Sequence, residues 1–274
     1  MTVTYHTGET LRPFLASLRS ASVDSPGIVV VDNGSGSVDR ERELAAEYDA
    51  RFIPLRENRG YGSGIAAGVE ASEPSEYVLI ANPDVVFEPG SIDELVAAAD
   101  ADPAVGAVGP RILDPDGSVY PSARNLPSLG AGVGHAVFGR IWPSNPWSRS
   151  YRVEYDNATR ARDAGWLSGA CLLVRRAAYD QIGGFDPRFF MYFEDVDLGA
   201  RLGEAGWRNR YQPSSTVMHT GAHSTSRDGS RMAAVHHDSA YLYLSRRYAS
   251  WYHAPVRLLL RMGLGARKRW VSRS

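Results

Sequence analysis

Tyr77-Val78-Leu79-Ile80-Ala81-Asn82-Pro83-Asp84 is a five-residue apolar run that stops on an Asn-Pro-Asp turn. It is too short for a helix and continuous instead of alternating, which is how a strand buried on both faces reads. Upstream, Gly60–Ala71 reads as a helix of small residues, Arg51–Leu55 as a strand and Asp39–Tyr48 as a helix. Ile28–Val31 is a β-branched strand that ends in the turn formers Asp32-Asn33-Gly34-Ser35. Leu11, Phe14, Leu15 and Leu18 fall at i, i+3, i+4, i+7, one helix face, and Thr2–Tyr5 supplies a first strand. Downstream, Ser91 reads as an N-cap with Glu94 completing a capping box. Strand–helix alternation of this kind predicts an α/β fold, a mostly parallel central sheet with flanking helices.

Residues 110–162 break the pattern, being rich in Gly, Pro, Ser, Asn and Trp, with a hairpin expected near Asp114–Val119. Regular structure returns as a strand at Trp166–Arg175, a helix at Phe193–Ala205 and a helical C-terminal segment over Ala233–Arg269. From Arg231 onward nine basic residues face one acid, Asp238, although the whole chain has a net charge of −1. An acidic body with a basic tail suggests a tail that meets an anionic surface, while the overall balance argues against nucleic acid. The single cysteine, Cys171, allows no internal disulfide. No leader-like segment and no apolar run of about 20 residues is evident, so the expected location is the cytoplasm or the cytoplasmic face of the plasma membrane.

In an open α/β sheet, ligands bind at the carboxyl ends of the strands. Tyr5-His6-Thr7, Asp32-Asn33 and Asn82-Pro83-Asp84 all fall there and together outline one cleft. Asp84 offers the hard oxygen that Mg2+ or Mn2+ prefers when the ion also bridges a diphosphate. Alone, the tripeptide is also a common turn. Asn58-Arg59-Gly60-Tyr61-Gly62 opens a helix with little bulk, which suits either phosphate approach or close helix–sheet packing. Glu194-Asp195-Val196-Asp197 puts three acids at a helix start, and five of the seven residues before Glu194 are aromatic or Met. The helix dipole explains acids at that position, but not the apolar wall. Such a wall desolvates a carboxylate, raises its pKa and suits it to general-base work. His219 and His223 have i, i+4 spacing, but Gly221 between them argues against a helix. His219 is then either a single metal ligand or a satisfied loop histidine.

As an ordered set, these segments resemble glycosyltransferase family two, the inverting enzymes on the GT-A nucleotide-sugar fold. The segments that match are Val3-Thr4-Tyr5, Val31-Asp32-Asn33-Gly34-Ser35, Asn58-Arg59-Gly60-Tyr61-Gly62, Asn82-Pro83-Asp84, Gly165-Trp166-Leu167-Ser168-Gly169, Glu194-Asp195-Val196-Asp197-Leu198 and His219. Within the family, three stretches are similar to actinobacterial cell-wall rhamnosyltransferases: residues 114–124, Trp142-Pro143-Ser144-Asn145-Pro146-Trp147 and Ala222-His223-Ser224-Thr225.

The resemblance implies a GT-A catalytic domain over residues 1–230, with a nucleotide-binding half (about 1–110) and an acceptor-binding half (about 111–230). Residues 231–274 would form a basic, membrane-associating helical segment. The resemblance implies Asp195 as catalytic base with Glu194 beside it. It implies Tyr5, Asp32, Asn33, Asn58, Gly62 and Asn82 at the nucleotide, and Asp84 and His219 on Mn2+ or Mg2+. Trp166, Ser168, Gly169 and Asp197 would face the acceptor. The implied donor is dTDP-β-L-rhamnose and the implied acceptor N-acetylglucosaminyl-diphospho-polyprenol, joined by an α-1,3 linkage. Asn82 departs from the family's Asp-x-Asp, leaving Asp84 as its one charged ligand. Rival readings are a family member using a UDP-sugar donor and a catalytically silent nucleotide-sugar or glycolipid binder. A pyrophosphorylase would need a Gly-rich basic loop after the first strand, and Tyr5–Thr10 is not one.

Overall fold

The structure, a computed structural model, describes residues 1–128, 159–221 and 229–271. Residues 142–147 and 222–225, two of the stretches quoted above, lie outside the described residues. The strands are β1 (Thr2–Thr4), β2 (Val29–Asp32), β3 (Arg51–Pro54), β4 (Tyr77–Ala81), β5 (Val85–Phe87), β6 (Val105–Leu113), β7 (Val119–Tyr120), β8 (Ala123–Arg124), β9 (Arg162–Ala164), β10 (Trp166–Leu167), β11 (Cys171–Arg175) and β12 (Arg208–His219). The helices are α1 (Leu11–Ala21), α2 (Asp39–Glu47), α3 (Tyr61–Ala71), α4 (Ser91–Asp100), α5 (Arg176–Gln181), α6 (Glu194–Glu204), α7 (Gly229–Arg247) and α8 (Ala254–Val271).

β1, β2 and β3 form a parallel sheet in that order. A second sheet runs β4-β11-β6-β12-β5, with β7 on β6 and β9 on β12. Met1 joins the two: its ammonium donates to the Leu79 carbonyl at 2.7 Å, and its carbonyl accepts from the Ala81 N–H at 3.0 Å. The expected α/β architecture is present, with one correction to the strand directions. The second sheet is mixed, because β11 enters between β4 and β6 antiparallel to both. β5 likewise leaves β4 through the Asn82 turn and pairs antiparallel with β12, whereas β12 and β6 run parallel. Strand–helix alternation governs only the first half of the chain, and β11 follows the long irregular excursion.

Strand alternation sorts the core onto two faces. Val29, Val31, Val78 and Ile80 pack with Ile65 and Val69 of α3. Val30 and Ala81 pack with Leu11, Phe14, Leu15 and Leu18 of α1. In the first half of the chain, helix faces and strands read from periodicity are found within a residue or two of their expected ends, whereas the helical segment expected over Ala233–Arg269 starts at Gly229 and breaks into two helices between Arg247 and Ala254. The capping box is not formed: Gly90, at φ +72°, is the N-cap, and the Glu94 carboxylate accepts from the Ser214 hydroxyl instead. The Asp114–Val119 hairpin is present, with Ile112 opposite Tyr120. The expected strand at Trp166–Arg175 is broken by a turn at Ser168-Gly169-Ala170, which becomes part of the site.

At the C-terminus, α7 buries Ala240 and Tyr243, and Tyr243 packs with Phe189, Val196 and Ala200. Arg246 donates to Asp186 at 2.7 Å and Asp197 at 2.8 Å. α8 folds back along α7 and is held by Lys268 on Asp238. Among the described residues no helix is long and apolar enough to cross a membrane.

Candidate active site

β5 and β12 pair so that His219, the last residue of β12, stands opposite Val85. That register brings His219 Nε2 to 3.2 Å from Asp84 Oδ1 and 3.3 Å from Asn82 Nδ2. The Thr220 N–H closes the corner on the Asp84 carbonyl at 3.0 Å. Both the Asp84 and His219 side chains are about one-fifth exposed, at 18% and 19%, so the corner opens to the cleft. Among the described residues no group of three or more His, Cys, Asp or Glu forms a full metal cage. A carboxylate oxygen and an imidazole nitrogen in convergence nonetheless fit a divalent ion that takes its other ligands from a diphosphate or water.

The Ser168–Ala170 turn connects this corner to the acids of α6. The Asn82 N–H donates to the Ala170 carbonyl at 2.8 Å. The Gly169 N–H donates to Asp195 Oδ2 at 3.0 Å, and the Gly169 carbonyl accepts the Tyr61 hydroxyl at 2.8 Å. Burial, and then the charges of Glu194, Cys171, Asp195 and Asp84, push the Tyr61 hydroxyl well above its ordinary pKa. Tyr61 thus ties down the Gly169 turn that bonds Asp195, and its hydroxyl feels the charges of both Asp195 and Asp84, 111 positions apart in sequence.

Asp195 is aimed by a strained turn. Tyr192 and Phe193, at φ +66° and +65°, are two consecutive non-glycine residues in the left-handed region. Each costs about 1–2 kcal/mol. The strain is held from α7: the His236 ring lies 5.4 Å from both the Tyr192 and Phe193 rings, and Tyr243 lies 5.7 Å from Phe193. Such strain persists where the surroundings over-determine it.

Glu194 and Asp195 differ in environment. Glu194 is buried, its Oε2 has no hydrogen-bond partner, and burial followed by the Asp195 charge raises its pKa to about 8. Asp195 is also raised by burial, but the N–H groups of Gly169 and Val196 and the charge of Arg124 oppose the rise. Donors stabilise an ionised carboxylate and an unpartnered oxygen does not. These environments favour the proton on Glu194 and the charge on Asp195. Burial holds the neighbouring Cys171 thiol up at about 12, so it is inert.

At the third corner, Asp32 is fully buried. Its Oδ2 accepts the N–H groups of Gly34 at 3.1 Å and Ser35 at 2.9 Å, while Oδ1 has no partner. Tyr5, 42% exposed, stands at the same strand end. Asn33 and Asn58 are spent on structure: Asn33 Nδ2 donates to Asn58 Oδ1 at 3.0 Å and to the Gly60 carbonyl at 3.1 Å. Gly62 serves packing, since a Cβ there would sit 2.9 Å from Phe185 Cβ. Of the two readings of this glycine segment, close packing is the one the contacts support.

The acceptor-side residues separate. Ser168 is buried, donating its N–H to the Ser122 carbonyl at 2.7 Å. Trp166 donates from Nε1 to the Asn125 carbonyl at 3.1 Å and stacks beneath Arg124. Asp197 requires a correction: it is only 4% exposed, and Arg201 and Arg246 take its two oxygens, so it holds α6 to α7 instead of facing an acceptor. Tyr61 and Arg124 stand within the quoted motifs but received no role. The aromatic after Gly60 and the lone arginine ending residues 114–124 were the available signals. A groove of about 960 Å³ opens at the opposite strand ends, lined by Val29, Arg51 and Tyr77 among others. None of these carboxylates lines it, so volume alone does not locate the chemistry.

Comparison with known proteins identifies the family and the fold. The profile of glycosyl transferase family 2 matches residues 1–183, and that of glycosyl transferase family group 2 matches residues 152–270. The chain is 47% identical over 282 residues to N-acetylglucosaminyl-diphospho-decaprenol L-rhamnosyltransferase of Mycobacterium tuberculosis (strain H37Rv). That alignment covers 99% of this chain and 92% of the relative. Among solved structures, mannosyltransferase PcManGT from Pyrobaculum calidifontis, in complex with GDP-Man and Mn2+, superposes with a TM-score of 0.61 at 15% identity. It spans 99% of this chain and 70% of its own. GalNAc-T7 with UDP, GalNAc and Mn2+ also gives 0.61 at 14% identity, covering 96% and 53%. At such identities the likeness is one of fold.

Proposed function

The chain belongs to glycosyl transferase family 2, and from that membership we propose that it transfers L-rhamnose from dTDP-β-L-rhamnose to N-acetylglucosaminyl-diphospho-polyprenol. The product is an α-1,3 linkage in cell-wall linker synthesis. The observation that carries this reading is the similarity to the mycobacterial enzyme along nearly the full length of both chains. The residues make chemical sense of it. Asp32 Oδ1, buried without a partner, is an acceptor waiting for a base N–H, and Tyr5 lies beside it as a wall. Asp84 and His219 would hold the divalent ion, Mn2+ ahead of Mg2+ because of the nitrogen ligand. Bound there, the ion would serve as Lewis acid on the departing diphosphate.

Asp195 then acts as general base. Its carboxylate takes the proton of the acceptor hydroxyl while that oxygen forms its bond to the anomeric carbon. The bond from that carbon to the diphosphate oxygen breaks on the opposite side, so the β-donor gives an α-product. Gly169 fixes Asp195 by its N–H, and Tyr61 fixes Gly169 by its carbonyl. Glu194, holding its proton, does not compete for the acceptor's.

The acceptor is a lipid, and the C-terminal helices supply a surface for it. Trp251 is 85% exposed and Leu259 68%, with Tyr252, Leu258 and Met262 also exposed, on a segment that carries the basic residues of the tail. Aromatics, aliphatics and cations in that combination suit a helix lying in the interface of an anionic bilayer. On this reading the enzyme lies peripherally on the cytoplasmic face of the plasma membrane, with the donor half of the catalytic domain at about residues 1–110 and the acceptor half at 111–230.

The decisive experiment uses dTDP-rhamnose, a synthetic N-acetylglucosaminyl-diphospho-lipid and Mn2+. Wild type should form the rhamnosylated product. Asp195→Asn should lower turnover by roughly 10²–10⁴-fold, the usual worth of a general base, with donor binding by calorimetry unchanged. Turnover near wild type in that variant would remove Asp195 from the role.

A further inference from the structure

We propose that Arg124 is the diphosphate-binding residue for the acceptor, gripping the phosphates that link its sugar to the lipid. The proposal rests on the acceptor class given above. The attacked sugar must place its hydroxyl at Asp195, and its diphosphate then lies one sugar ring away, needing a cation of its own.

Arg124 sits where such a cation is required. β8 pairs with β10 so that Arg124 stands opposite Trp166, and three residues beyond Trp166 Gly169 bonds the base. The guanidinium charge is felt at the Asp195 carboxylate. Its side chain is held but not consumed. Nε donates to the Pro121 carbonyl at 2.8 Å, and the guanidinium lies 5.7 Å from the Tyr120 ring centroid and 5.6 Å from that of Trp166. No carboxylate pairs with it among the described residues. The neighbouring arginines are different: Arg201 is taken by Asp197, Arg188 by Asp186, and Arg246 by both acids. Arg162 commits a terminal nitrogen to the Ala123 carbonyl at 2.7 Å, and its guanidinium lies 5.5 Å from the Tyr211 ring centroid. Arg124 thus keeps both terminal nitrogens, four N–H donors in a fixed plane, for a ligand. A stacked, pre-oriented guanidinium is matched to bidentate phosphate. The donor diphosphate belongs to the Asp84–His219 corner, so the β8–β10 side serves the acceptor.

The test is steady-state kinetics of the full chain, wild type against Arg124→Gln and Arg124→Lys, varying the N-acetylglucosaminyl-diphospho-lipid and dTDP-rhamnose separately. Loss of a charge-assisted hydrogen bond to phosphate should raise the acceptor KM about tenfold or more in Arg124→Gln. Arg124→Lys should keep part of the affinity, as a point charge without the fork, and the donor KM should stay within about twofold. An unchanged acceptor KM overturns the proposal. So does a rise in donor KM as large as that for the acceptor, which would assign Arg124 to the donor diphosphate. If Arg124→Gln does not fold, the KM pair measured on Arg124→Lys decides. No transfer by the wild type is a separate result: it removes the acceptor assignment, and this proposal with it.

Discussion

Glu194 and Asp195 are adjacent, equally acidic in sequence and unequal in place. The unpartnered oxygen of Glu194 and the two N–H bonds to Asp195 decide which keeps the proton. The difference has a measurable consequence. A carboxyl raised to about 8 in the folded chain holds its proton where the unfolded chain has released it. Folding then takes up a proton, and stability falls as pH rises from the usual carboxylate range through about 8, levelling above it. Glu194→Gln keeps the shape and removes the titration. Its folding stability should gain on wild type between pH 5 and pH 8, by an amount on the order of a few kcal/mol at the upper end, seen as a melting temperature that falls less steeply than that of wild type. Parallel melting curves for the two proteins across that range would exclude Glu194 as the proton carrier. At this scale the sequence identified both acids, because an apolar wall before clustered carboxylates demands a reason. It misled over Asp197, because Arg246 lies 49 positions away and no spacing rule predicts that pair. Asn33 and Asn58 were likewise legible as polar strand-end residues, but not as partners of each other.

Among the elements, the turn from β3 into α3 is the most tightly constrained. Gly60 has φ +92°, and a Cβ there would meet the Phe190 carbonyl oxygen at 2.2 Å. Both the conformation and the space exclude a side chain, and the contact is backbone, which cannot swing away. The same Phe190 carbonyl accepts the Tyr61 N–H at 3.0 Å, so this turn positions the phenol that steadies Gly169. Gly60→Ala should therefore destabilise the fold by about 2 kcal/mol or more, seen as a lower urea midpoint, and should depress turnover in what remains folded. A neutral effect on the midpoint would mean that the turn can open without cost. The first-half elements were readable because local periodicity and buried faces agree there. β11 was readable as a strand, but its insertion between β4 and β6 was not, since antiparallel entry depends on where the preceding excursion leaves the chain. The break at Ser168–Ala170 was hidden for a related reason: Leu167 and Cys171 continue the apolar pattern across a turn that exists to present Gly169 to Asp195.

For the whole molecule, the C-terminal helices connect the surface to the chemistry. α7 carries the rings that brace Tyr192 and Phe193 and the guanidinium that reaches Asp197, two residues past Asp195. α8 lies outside it, with Leu258, Leu259 and Met262 in solvent. A helix that only covered the core would turn those side chains inward, so their exposure calls for a partner. We propose the bilayer as that partner, in keeping with a lipid-linked acceptor. Replacing Trp251, Leu258, Leu259 and Met262 together with Ser removes apolar area without touching α7 or any group near Asp195. Sedimentation with vesicles containing anionic lipid should show wild type bound and the fourfold variant mostly free. Binding of wild type should also weaken as salt rises, because the basic tail contributes by charge. Turnover on a short-chain, water-soluble acceptor should survive the replacement, whereas turnover on acceptor embedded in vesicles should fall with the bound fraction. Equal vesicle binding by the two proteins would return α8 to the role of a packed helix with a solvated basic face. It would leave delivery of the lipid to the base to be explained by the α6–α7 side of the cleft alone.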